Sequence, residues 1–254
     1  MDCKAFLAWA MPRLGLEPGA YERVRHQVCK RLSRRLAELH LGSLEAYATF
    51  LDHHPEEWST LDGLCHITIS RFFRDRPVFD ALTAILPRLA ARSGSPLRLW
   101  SAGCGAGEEP YSLALMARHF LAPDVDVEII ATDADPHQLA RARAALYEPS
   151  SFRELPAGIP HQIDADLTRH VTFLQQDLRR EAPAGPFALV ACRNLAFSYF
   201  DEAGQRQTLQ TIADRLIPGG VLAIGLREKL PPNDVFTPIG PCLFERLAGP
   251  ADRC

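Results

Sequence analysis

From residue 97 onward, short apolar runs alternate with stretches whose apolar residues recur at helical spacing. The runs "LRLWSAG", "VDVEIIATDAD", "VTFLQQDL" and "FALVACRNL" predict strands. "EEPYSLALMARHF" and "PHQLARARAALY" predict helices. "AGQRQTLQTIADRLIPGGVLAIGL" predicts a helix, a Pro-Gly-Gly turn and a strand, and "CLFERL" a final edge strand. Such alternation with apolar strands predicts an α/β domain whose mostly parallel sheet is covered by helices on both faces. Residues 1–90 read differently. Val24, Val28, Leu32 and Leu36 or Leu39 form one helical stripe, and Ser43 caps a further helix, "SLEAYATFLDHH". Gly94 and Pro96 break the pattern. The predicted organisation is a small helical N-terminal domain over 1–93 and an α/β domain over 94–254.

Composition narrows the class. Hydrophobic residues make up 47% of the 254 positions and charged residues 23%, enough for a substantial core. A net charge of −3 gives no overall pull toward nucleic acid or an anionic membrane. No apolar run is long enough to insert into a bilayer, and the N-terminus makes a poor signal peptide. The seven cysteines show no paired ligand spacing, so no metal is expected; their odd number predicts reduced thiols and a cytoplasmic protein.

The chemistry concentrates in "SAGCGAGEEPYS". Gly103, Gly105 and Gly107 permit positive φ and a close backbone approach to a ligand at the carboxyl end of the first strand. No G-K-[ST] follows, which excludes a P-loop. Glu108 and Glu109 would repel a pyrophosphate. A cationic nucleoside resolves the conflict: S-adenosylmethionine carries an ammonium and a sulfonium and no phosphate. One of the two carboxylates would hold the amino group while the glycine amides face the carboxylate end. Asp133, at the tip of "IIATDAD", is placed to accept both ribose hydroxyls. Asp135, directly before Pro136, is the better N-cap for the next helix. Asp177 in "LQQDL" is the candidate for the adenine amine, against a plain solvated loop aspartate. Arg193, Asn194 and Tyr199 lie at the open edge after the fourth strand. The combination reads as a methyltransferase.

At this point the residues carry a specific resemblance. "SRFFRD", "LWSAGCGAGEEPYSLAL", "ATDADPHQLARARAALY", "VTFLQQDL", "CRNLAFSYFD" and "LIPGGVLAIG" occur in order over roughly residues 25–245. The sequence resembles the CheR-type S-adenosylmethionine-dependent methyltransferases, which esterify glutamates of bacterial chemotaxis receptors. The resemblance implies a helical domain followed by a Rossmann-like catalytic domain. It implies that Arg74 lies near the transferred methyl group, that Thr68 and Ser70 are the polar positions preceding it, and that an acid of "GEEPYS" holds the methionine amino group. It further implies that Asp133 holds the ribose, that Asp177 and Leu178 contact adenine, and that Tyr199 is the tyrosine after "CRN". Arg193 and Asn194 of that motif and Gly103 of the turn complete the expected cofactor set.

The chain departs from the family pattern in three places. "LCHITISRFFR" has Thr68 where the family has asparagine, and "CRNLAFSYFD" carries one residue more before its tyrosine. "EPSSFRELPAGIPHQIDADLTRH" is too short for a full β-subdomain, the part that docks a receptor tail in some members. Two acceptors therefore stand: glutamates of an acidic helical protein, or a small molecule entering a pocket lined by Thr68, Ser70, Arg74 and Tyr199. A carboxylate acceptor needs orientation rather than a base, and an arginine fork suits that, which assigns Arg74 to the acceptor. Its bland alternative is an ion pair with Asp75 or Asp80. Residues 21–40 hold six basic side chains against two acids, either a solvated helix face or a docking face for an acidic partner.

Overall fold

The computed structural model describes residues 1–249; Cys254 lies outside the described residues. The chain forms two compact units: Met1–Thr68 together with Ser198–Gly204, and Ile69–Phe197 together with the residues from Gln205 on.

The first unit is built from α1 (Cys3–Ala10), α2 (Arg25–Glu38), α3 (Leu44–His53) and α4 (Glu57–Cys65). Local chemistry sets their ends. Asp2 and Ser43 accept the backbone N–H of Ala5 and Ala46, the capping geometry expected of these residue types. Phe6, Leu7, Val28, Leu32, Tyr47, Leu51 and Leu61 are buried. Among them lies a polar network: Glu57 takes a two-pronged bond from Arg35 at 2.9 and 2.7 Å and another from the Tyr47 hydroxyl at 2.7 Å. Arg35 and Tyr47 hold the Glu57 carboxyl below its ordinary value against the opposing effect of burial. Cys3 and Cys29 form a disulfide, Cα–Cα 6.1 Å, so the expectation of reduced thiols fails for this pair. Tertiary packing of the helices, which cysteine spacing does not reveal, brings the two together.

The second unit contains α5 (Arg76–Arg92), β1 (Leu97–Ala102), α6 (Glu108–Phe120), β2 (Val127–Asp133) and α7 (Pro136–Ala144). A short α8 (Ala165–Thr168), β3 (Val171–Gln175), β4 (Phe187–Ala191) and the four-residue α9 (Ala196–Tyr199), which ends in the first unit, follow. α10 (Glu202–Ala213), β5 (Leu216–Ala223), β6 (Phe236–Gly240) and β7 (Leu243–Arg246) complete the chain. The seven strands run in the order β3-β2-β1-β4-β5-β7-β6. The first five are parallel, with Leu97 to Ala102 registered on Val127 to Thr132, and β7 pairs antiparallel with β5 and β6. β4 is buried at every position, as a central parallel strand covered on both faces requires.

The boundary read at residue 93 falls inside this unit, because α5 turns Val78, Phe79, Leu82, Leu86 and Leu89 into the same core as the sheet. "CLFERL" is not the edge strand expected. β7 lies between β5 and β6, and the edge is β6, whose Pro238 and Gly240 masked it as a strand. Between β2 and β3, residues 147–170 form only a 3₁₀ turn (Pro149–Phe152) and α8, with no strand. The expected lack of a full β-subdomain therefore holds.

Candidate functional site

The site lies at the carboxyl ends of β1, β2 and β4, where the strand order reverses and open α/β sheets bind ligands. The glycine turn after β1 has φ of 78°, 53° and 95° at Gly103, Gly105 and Gly107. A Cβ at Gly103 would stand 2.4 Å from Leu195 Cδ2, and one at Gly107 would stand 2.7 Å from the Tyr147 hydroxyl. Gly105 faces open space instead. The turn's amides correct one expectation. They donate to Thr132 O, Asp133 Oδ2 and Cys104 O, so none of the three is turned to a ligand. The turn closes on itself because its amides satisfy neighbouring acceptors; the groups that can meet a ligand are side chains.

The two acids differ sharply. Glu109 accepts from the Ser101 hydroxyl at 2.7 Å and from Arg193 at 3.0 Å. Burial pushes its carboxyl above the ordinary range while Arg193 and Ser101 pull it back. Glu108 is buried, and its Oε2 has no hydrogen-bond partner. Burial raises this carboxyl too; its own amide, Arg141 and a hydrogen bond from Ser70 oppose the rise. An ionised oxygen without a donor in such a place is costly, and an ammonium group is the natural complement.

Asp133 is fixed at the tip of β2, its two oxygens accepting from Gly105 N at 2.8 Å and Asp135 N at 2.9 Å. Asp135 caps α7 through His137 and Gln138, as its place before Pro136 predicts. Asp177 is gripped by Arg179, whose Nε and second guanidinium nitrogen reach its two oxygens at 3.0 and 2.8 Å. Leu178 beside it is buried.

Arg74 sits in a tight turn in which Phe73 and Asp75 have φ of 53° and 60°. Its guanidinium donates to Ile69 O and, at 3.3 Å, to Asn194 Oδ1. Neither carboxylate offered as a bland partner takes it: Asp75 pairs with Arg193 at 3.0 Å, and Asp80 with Arg76 at 2.8 Å. Arg193 is committed to the scaffold, tying Glu109, Asp75 and the Arg74 carbonyl together. Asn194, at φ 56°, has its amide held by the buried Glu228. Ser70, Arg74, Glu108, Glu109, Asp133, Arg193 and Asn194 thus belong to the sheet unit. Thr68 and Tyr199 belong to the helical unit, where Tyr199 packs on Tyr21 with ring centroids 5.0 Å apart. His66, also there, pairs with Asp62 at 3.4 Å.

Sequence reasoning missed four side chains. Ser112 accepts the Phe73 amide at 2.9 Å and donates to Glu108 O, and its place in "GEEPYS" was the available signal. Asp75 lies in "FFRD". Glu154 and Glu228 stand outside every motif.

Residues 68–241 match the profile described as "CheR methyltransferase, SAM binding domain". This chain belongs to the CheR methyltransferase family. Residues 20–61 of this CheR methyltransferase match the family's all-alpha domain. It is 35% identical over 204 residues to the chemotaxis protein methyltransferase of Listeria innocua, covering 72% of this chain and 75% of that protein. It is 33% identical over 225 residues to a probable chemotaxis protein methyltransferase of Rhizobium etli, covering 80% and 84%. With the chemotaxis protein methyltransferase of Escherichia coli K12 it shares 30% over 224 residues, covering 80% and 76%. The CheR methyltransferase is thus S-adenosylmethionine-dependent, and the unpartnered buried Glu108 oxygen fits that cationic cofactor.

Proposed function

We propose that this CheR methyltransferase forms methyl esters on glutamate side chains of an acidic helical protein, a bacterial chemoreceptor, in the cytoplasm. The observation that carries the reading is Arg74. It is held at the sheet's ligand-binding end by neutral acceptors, and among the described residues no carboxylate of the protein's own reaches it.

S-adenosylmethionine supplies an electrophilic methyl group on a sulfonium, with a neutral thioether as leaving group. Glu108 holds the ammonium end. Asp133, pinned by two amides, accepts from the ribose, since a carboxylate oxygen takes more than one hydrogen bond. Asp177 and Leu178 flank the adenine, and Ser70, hydrogen-bonded to Glu108, supports the ammonium end. Arg74 orients the acceptor carboxylate by its planar fork. That carboxylate is ionised near neutral pH, so no general base is needed. Arg193 and Asn194 hold the site's shape rather than the cofactor.

The test supplies cofactor with a tritiated methyl group and the purified cytoplasmic hairpin of a chemoreceptor. Label entering the hairpin and leaving as methanol in alkali supports the reading. Alkali-stable label, or label confined to a small-molecule extract, overturns it. Arg74→Ala should keep cofactor affinity and lose turnover at least about a hundredfold, the pattern of a group acting on the transition state.

The second reading, a small-molecule acceptor, is favoured by the segment 147–170, which holds no strand to pair with a receptor tail.

A further inference from the structure

The turn that carries Arg74 is unfavourable by itself. Phe73 and Asp75, neither of them glycine, both take positive φ, so the conformation persists only where the surroundings hold it. Each backbone amide of the turn has a partner. Phe73 N–H goes to Ser112 Oγ and Arg74 N–H to Arg71 O. Phe72 N–H donates to Ser151 O at 2.9 Å, and Asp75 N–H to Glu154 Oε2 at 3.1 Å. The last two acceptors come from one short segment, residues 147–154. The same segment stacks Phe152 on Phe72, centroids 4.5 Å apart and planes within 6°, and sets Tyr147 edge-on to Phe72. Tyr147 in turn anchors to the glycine turn through Ala106 O at 2.7 Å.

Glu154 is the polar centre of this clamp. One oxygen accepts the Asp75 amide and the other pairs with Arg71 at 3.1 Å, so a single carboxylate grips the chain on both sides of Arg74. Asp75 opens α5 without capping it through its own side chain, so its conformation depends on outside partners, Glu154 and Arg193. Neither contact touches the Arg74 guanidinium; what they fix is where its backbone starts.

We propose that Glu154 is a positioning residue for methyl transfer. It acts through Arg74, and the segment 147–154 serves as the brace of the catalytic turn. This rests on the assignment of Arg74 to the acceptor. A displacement of about 1 Å at such a group costs turnover on the order of a hundredfold. Glu154 lies too far along the chain from Arg74 for local sequence to couple them, so the coupling is testable as an energetic one.

The test measures methylation of the receptor hairpin that wild-type protein labels, in Glu154→Ala, Glu154→Gln, Arg74→Ala and the Arg74→Ala/Glu154→Ala double variant. Glu154→Ala should lower kcat by about 10- to 100-fold with cofactor Kd within about twofold of wild type. Glu154→Gln should fall between, since its amide oxygen still accepts the Asp75 N–H while the pair with Arg71 is lost. In the Arg74→Ala background, Glu154→Ala should cost nothing more. Wild-type kcat in Glu154→Ala, with Arg74→Ala inactive, overturns the brace alone, as does a loss that multiplies with that of Arg74→Ala. A fully active Arg74→Ala overturns both assignments. Should Glu154→Ala melt below assay temperature, Glu154→Gln carries the test: a several-fold loss absent in the Arg74→Ala background is expected, and wild-type kcat overturns the brace.

Discussion

Arg193 and Glu109 meet at 3.0 Å, with the arginine side chain almost wholly removed from solvent. The pair joins the loop after β4 to the first turn of α6, and through Asp75 it reaches the Arg74 turn. A buried charge that loses its partner is far more costly than the pair is stabilising. Because Asp75 still holds Arg193 at 3.0 Å, Glu109→Ala removes one of two carboxylates and should destabilise the fold by about 1–3 kcal/mol. Urea unfolding reads this directly, and a loss below about 1 kcal/mol would show that Arg193 finds compensation elsewhere.

The Glu108 carboxyl is held above its ordinary range by burial, so the unfolded chain gives up this proton at lower pH than the folded protein does. Its ionisation opposes folding: this contribution to stability weakens as pH rises from the unfolded value to the folded one. Cofactor binding has the opposite sign, because only the ionised form attracts an ammonium. Affinity for S-adenosylmethionine should therefore rise with pH from the ordinary carboxylate range upward, and Glu108→Gln should bind weakly with a flat profile. Calorimetry across that range decides it; an unchanged slope in the variant assigns the effect to another group.

The basic stretch 21–40 divides into structural and exposed members. Arg31 donates to Leu64 O and His66 O at the C-terminus of α4, whereas Arg34 is exposed. Arg31→Glu should destabilise the protein by about 1–2 kcal/mol through a lost helix-end contact, whatever the acceptor. Arg34→Glu should leave the melting temperature unchanged and reduce methylation of an acidic receptor hairpin. Wild-type activity on that hairpin should fall with added salt for the same reason. Salt-insensitive activity unaffected by Arg34→Glu would exclude the basic face from docking.

The Cys3–Cys29 bridge closes a loop with a sequence separation of 26, the kind of constraint that stabilises by about 3 kcal/mol. Reduction with dithiothreitol should lower the thermal stability of wild-type protein, and Cys3→Ser should melt at the reduced value with or without reductant. Identical melting curves before and after reduction would show the bridge to be energetically silent.

Much of the fold was legible because it follows from periodicity. β1, β2 and β4 are short apolar runs that a parallel sheet buries on both faces, and Asp135 before Pro136 marks a helix start by local chemistry alone. β6 was hidden by Pro238 and Gly240, which weaken a strand signal unless the strand lies at an edge. Glu108, Glu109 and Arg74 were legible as candidates from the glycine turn and from "FFRD". Their supports were not. Glu154 lies 79 positions from Asp75, and Glu228 lies 34 from Asn194; such partnerships exist only once the chain has folded. For the same reason, spacing could not distinguish Glu108 from Glu109, which are neighbours in sequence and opposites in surroundings.

The helical unit takes back Ser198–Gly204 from far down the chain. Leu16 bridges to Phe200, Glu17 N–H donates to Tyr199 O at 2.9 Å, and Asp201 N–H donates to Gly15 O at 3.0 Å. During synthesis, the helices of residues 1–68 therefore emerge long before their last piece does. At typical elongation rates the wait is on the order of ten seconds. Through that interval the nascent N-terminus holds a surface around Leu16 and Tyr21 that nothing yet covers, and it closes only after β1 to β4 have left the ribosome. The first part made is among the last to finish.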